Sequence, residues 1–86
     1  MYKVVLLQKA EKVFSQADTT LARKLARAFR SLEADPLRGP NIKALSGPLK
    51  GFLRLRVGDY RIVYQIDAVR ETVYVVRIAH RKEAYQ

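Results

Sequence analysis

The chain has 86 residues, with 17 Lys and Arg against 8 Asp and Glu, a net charge of +9, an apolar share of 49% and no cysteine. That length suits one domain over residues 1–86; the apolar share argues against a disordered polymer; and the missing thiol excludes disulfides, thiolate catalysis and cysteine–zinc sites. No apolar run nears the roughly 18 residues of a membrane span, and the apolar stretch before Gln8 is too short for a signal-peptide core. The expectation is a soluble cytoplasmic protein with no membrane role, whose charge draws polyanions or an acidic partner.

Tyr2 to Leu7 is rich in β-formers and predicts a strand. From Gln8 the period changes, and Ala10, Val13, Phe14 and Ala17 recur at helical spacing. Asp18-Thr19-Thr20 offers N-cap side chains for a second helix. That helix carries Leu21, Leu25, Phe29 and Leu32 on one face, with Arg23, Lys24, Arg27 and Arg30 mainly on the other. It stops near Asp35, because Pro36 disfavours helix in the residue before it. Two helices joined so tightly form an antiparallel hairpin.

Pro36 to Gly51 holds all three prolines and three of the four glycines. It predicts a basic loop carrying Arg38, Lys43 and Lys50, with a short helical turn at Ile42 to Leu45. After Gly51 the period becomes two. Leu53, Leu55 and Val57 alternate with Phe52, Arg54 and Arg56. Gly58-Asp59 fits a two-residue hairpin loop, Tyr60 to Asp67 a return strand, Ala68 to Glu71 a turn and Thr72 to His80 a further strand. Arg81 to Gln86 reads as a charged tail. The order β-α-α-β-β-β predicts an α+β fold, with an N-terminal helical hairpin packed on an antiparallel-rich sheet.

If Gly58-Asp59 is the loop, Arg56 opposes Arg61, and like charges directly opposite destabilise a hairpin. Arg54 shares the face of Arg56. Three guanidinium groups then project from one patch of sheet, as an anion-binding surface requires. Arginine suits phosphate because its fork binds two oxygens and stays charged. The bland alternative has the arginines splayed and paired with Glu83, Asp59 or Asp67. Counting on from Asp67 opposite Thr72 brings His80 level with Asp59, on the face of Arg61, whereas a slip of one residue moves it to the other face. His80 is the chain's one histidine, the residue type best suited to shuttle protons near neutrality.

One histidine and no cysteine do not make a zinc site. No carboxylate pair marks a metal-dependent nuclease in the basic region, and no glycine-rich phosphate loop is present. No metal or other cofactor is expected. Arginine, lysine, histidine and tyrosine remain. That set can act on RNA, which carries its own nucleophile in the 2′-OH.

The segment RLRVGDYRIVY (54–64) followed by HRKxxY (80–85) resembles the RelE branch of the RelE/ParE toxin superfamily, and length and element order resemble it too. The resemblance implies a microbial-RNase-like fold and ribosome-dependent cleavage of mRNA in the A site. It also implies inhibition by a cognate antitoxin: acidic, partly disordered and RelB-like. The toxin–antitoxin complex would bind operator DNA through the antitoxin. Carried over residue by residue, it implies that Arg61 contacts the scissile phosphate. Arg81 stabilises phosphate or protonates the leaving group, Tyr85 orients or stacks on a base, and Arg54 matches a basic residue of the preceding strand. The family places lysines where this chain has Phe52 and Arg54. Arginine does not deprotonate, so the base falls to His80, with the ribosome or Tyr85 as alternatives. Arg56, Lys50, Lys43 and Lys82 are the expected further RNA contacts. The competing expectations are a ParE-like DNA gyrase inhibitor acting by binding, and a non-catalytic nucleic-acid-binding module.

Overall fold

The structure, a computed structural model, describes residues 1–84. Their elements are β1 (Lys3–Leu6), α1 (Gln8–Ser15), α2 (Thr19–Ala34), β2 (Ile42–Ala44), β3 (Leu53–Val57), β4 (Tyr60–Asp67), β5 (Thr72–His80) and α3 (Arg81–Ala84), with a 3₁₀ turn at Gly47–Leu49. The strands form one sheet in the order β1-β5-β4-β3-β2. β1 runs parallel to β5, and every other pairing is antiparallel. The α+β architecture matches the sequence expectation, with the helical hairpin connecting β1 to the meander.

Asp18 caps α2 as its side chain predicts, accepting the Leu21 N–H at 2.8 Å. The apolar stripe of α2 buries Leu25, Ala28 and Leu32, and α1 contributes Ala10. These pack with Leu55, Ile62, Tyr64, Val73, Val75 and Ile78 of the sheet. Phe14 and Phe29 meet edge to face at 5.4 Å and tie the two helices together. The helices thus cover one sheet face and leave the other open.

Three expectations need correction. The helical turn predicted at Ile42 to Leu45 is strand β2 instead. Ile42, Lys43 and Ala44 pair with Leu55, Arg54 and Leu53, and the pairing is flanked by the Leu45 N–H to Phe52 C=O and Arg56 N–H to Asn41 C=O bonds. The β3 edge offers unpaired backbone groups, and capturing a short segment satisfies them. The turn itself lies at Gly47–Leu49, where Pro48 sits at the start and its missing N–H costs nothing. The second correction is the charged tail, whose first four residues form α3.

β5 carries a bulge. Asp67 pairs with Thr72 and Tyr64 with Val75, but Val63 pairs with Arg77, leaving Val76 as the extra residue. Burial records the same slip. Val73 and Val75 are buried at strand spacing, and the next core residue is Ile78, three positions on. The register therefore ends with Tyr60 opposite His80, not Asp59 opposite His80.

Candidate nucleic-acid interface

Gly58, with φ of 59°, supplies the left-handed conformation that the β3–β4 loop needs. The tight loop fixes Val57 opposite Tyr60 and Arg56 opposite Arg61. Side chains alternate along β3 and β4. Leu55 and Ile62 face the helices, so Arg54, Arg56 and Arg61 face the open side. Lys43, directly opposite Arg54 on β2, extends the row.

The bulge decides what β5 adds. With uninterrupted pairing from Thr72, Ile78 and His80 would share the face of Arg61. The extra residue reverses the alternation, so Arg77 and Ala79 turn to the open face and Ile78 into the core. Arg81 follows Ala79 by two positions, and its N–H donates to the Asp59 carbonyl at 2.7 Å. The start of α3 is thereby fastened to the hairpin loop.

These placements converge on one cavity of about 270 Å³, lined by Arg54, Arg56, Gly58, Asp59, Tyr60, Arg61 and Arg81. Asp59 lies 4.0 Å from the Arg81 guanidinium, with both side chains 69% exposed, a geometry that water screens well. Arg54 donates to the Asn41 carbonyl at 3.1 Å. Among the described residues, Arg54, Arg56 and Arg61 form no ion pair. Four guanidinium groups thus share a concave surface with a single exposed carboxylate. An anion with several oxygens, such as a phosphodiester, would satisfy those forks.

The other sequence-predicted residues fall outside this cavity. Lys50 ends the 3₁₀ turn and Lys82 lies on α3, both exposed. His80 is the correction that matters for chemistry. It lies on the face of Tyr60, which it meets edge to face at 5.1 Å and 88°, and it does not line the cavity. Its Nδ1 accepts the Lys82 N–H at 3.2 Å, so the ring caps the first turn of α3. The one-residue bulge is the physical reason that it left the face of Arg61. Tyr85 lies outside the described residues. Tyr60 lines the cavity without having been singled out for it, and so does Asp59, which the sequence offered as a partner for the arginines. Their adjacency to Gly58 and Arg61 was the available signal.

The chain is similar to known proteins over most of its length. The family described as ParE toxin of type II toxin-antitoxin system, parDE, matches residues 5–85. Toxin RelG of Mycobacterium tuberculosis is 38% identical over 66 residues, which cover 77% of this chain and 74% of that protein. The crystal structure of the toxin–antitoxin complex RelBE2 from Mycobacterium tuberculosis matches with a TM-score of 0.80 at 32% identity, over 93% of this chain and 98% of the matched one. The isolated E. coli RelE toxin shares the fold, with a TM-score of 0.77 at 19% identity over 99% of this chain and 96% of that chain.

Proposed function

The chain belongs to the RelE/ParE superfamily of toxins of type II toxin–antitoxin systems, and we propose that it is a ribosome-dependent endoribonuclease that cleaves mRNA in the A site and so inhibits translation. One observation carries this reading: Arg54, Arg56, Arg61 and Arg81 line a single open cavity in which the one lining carboxylate among the described residues, Asp59, is exposed. In the reaction, the 2′-OH of the RNA attacks the adjacent phosphorus. A 2′-O–P bond forms and the P–O5′ bond breaks, giving a 2′,3′-cyclic phosphate and a free 5′-OH. The 2′-OH proton leaves to a base, and the departing 5′ oxygen takes up a proton. Because the substrate supplies its own nucleophile, no metal is required to generate one.

Arg61 sits centrally, between Arg56 across the hairpin and Ala79 on β5, and is assigned to the scissile phosphate. Arg81 stabilises the developing charge and the leaving group, while Arg54 and Arg56 hold phosphate oxygens. Preorganised donors of this kind act where charge develops in the transition state. Lys43 continues the track along the strand, and Lys50 and Lys82 meet the RNA more peripherally. Tyr85 orients a base. His80 fixes α3, and through it Arg81, rather than taking the proton, which leaves the base to the ribosome or to Tyr85.

The basic face also fits a cognate antitoxin with an acidic, partly disordered, RelB-like segment, and operator DNA would be bound through that antitoxin. Relatives of this fold have been crystallised as toxin–antitoxin complexes. A second reading has one observation in its favour: the matching family is described as ParE. In that reading the protein inhibits DNA gyrase by binding. A translation extract with a defined mRNA separates the two. Codon-phased ends in the extract, with naked RNA left largely intact, support the ribonuclease. Intact mRNA together with inhibited supercoiling supports the gyrase inhibitor. Neither effect would leave a non-catalytic nucleic-acid-binding module.

A further inference from the structure

Arg61 is a wall shared by two cavities on the open face. Beside the arginine cavity lies a smaller slot of about 140 Å³, lined by Leu49, Arg61, Val63, Val76, Arg77 and Ala79. A single water needs only about 10–15 Å³ of such volume, so the slot has room for a ligand group. Its floor is apolar. Val63 and Ala79 are 5% and 2% exposed although they face away from the helices. Leu49 reaches it from the 3₁₀ turn and remains 43% exposed. Arg77 is exposed and pairs across from Val63.

The bulge builds this slot. Val76 is the extra residue, and Arg77 faces the open side only because of it. Bulges recur beside functional sites, where they re-aim a side chain. The result is an apolar slot flanked by two guanidinium groups, contiguous with a cavity made for phosphate. A nucleotide has the same layout. Its phosphate is charged, and its base is flat, with apolar faces and polar edges. Arginine both stacks on such faces and hydrogen-bonds such edges.

We infer that this slot receives a nucleobase of the RNA whose phosphate occupies the arginine cavity, with Arg77 as a base-contacting residue. The inference rests on the ribonuclease reading of that cavity. The probes are uridine 3′-monophosphate, adenosine 3′-monophosphate and the base-free ribose 5-phosphate, titrated into ¹⁵N-labelled protein and followed by amide shifts. At least one nucleotide is expected to bind about fivefold or more tightly than ribose 5-phosphate, the lower end of a base-stacking gain. The shifts should centre on Val63, Val76 and Arg77. Ala79→Leu, which fills the slot, and Arg77→Ala, which opens it, should each remove that advantage and leave ribose 5-phosphate binding unchanged. Arg77→Ala alters an exposed side chain and keeps the test intact if Ala79→Leu does not fold. Equal affinity for nucleotides and ribose 5-phosphate in the wild type would overturn the base slot while leaving the phosphate cavity standing. Binding of none of the three would overturn both together.

Discussion

Tyr64 is fully buried in the middle of β4, and its hydroxyl donates to the Pro36 carbonyl at 2.7 Å. That bond joins the sheet to the chain leaving α2. Tyr64→Phe strands the carbonyl and should cost about 1–3 kcal/mol in urea unfolding. Burial first, and then the nearby Asp35 carboxylate, push the phenol from 10.0 up to about 12. The unfolded chain therefore loses this proton before the folded one does. The contribution of Tyr64 is complete below pH 10 and declines toward pH 12, by roughly 2–3 kcal/mol in all. Tyr64→Phe should lack that part of the alkaline decline. His80 offers a sharper residue-scale test. As a cap on Lys82 it is replaceable by asparagine, whose side-chain oxygen accepts the same N–H; as a base it is not. His80→Asn should keep cleavage within about tenfold of wild type, whereas loss of a general base costs about 10²–10⁴-fold. Single-turnover rates on ribosomes decide between them.

At the scale of elements, the β3–β4 hairpin and the end of β5 determine the site. The hairpin was legible, because Gly58-Asp59 between two alternating runs leaves little choice of loop, and Arg56 does stand opposite Arg61. β5 was legible in extent but not in register. Val75 and Val76 are both apolar, so an added residue leaves no mark in the period, and only packing shows which valine enters the core. That ambiguity misplaced His80 and hid Arg77. β2 was obscured for another reason: three residues among prolines and glycines carry no strand period, and the strand exists through its partner β3. Deleting Val76 alone removes the bulge yet keeps Arg77 opposite Val63 and Ile78 opposite Ile62, whereas deleting Val76 and Arg77 together should set Ile78 opposite Val63 on the open face. Losing a core isoleucine costs roughly 2–5 kcal/mol. The double deletion is therefore expected to unfold at much lower urea than the single deletion of Val76, which keeps both faces. Equal midpoints for the two deletions would mean that this register does not set the two faces.

Across the whole molecule, the helices cover one side of the sheet and Lys43, Arg54, Arg56, Arg61, Arg77 and Arg81 collect on the other, so part of the net charge of +9 becomes a directed surface. Binding of a short single-stranded RNA should weaken steeply with salt. Four phosphate contacts, at about 0.7 each, give a log–log slope near −3, and Arg61→Ala should make it shallower by about 0.7. The central claim is that Arg61, set between two strands by a two-residue loop and a bulge, holds the phosphate that is cut. The most direct measurement is the single-turnover cleavage rate of Arg61→Ala against wild type on ribosomes programmed with a defined mRNA, with urea midpoints measured in parallel. The predicted result is a fall of about 10²–10³-fold, as for loss of a donor to a developing charge, with an unchanged midpoint. Cleavage by Arg61→Ala at the wild-type rate would contradict the account.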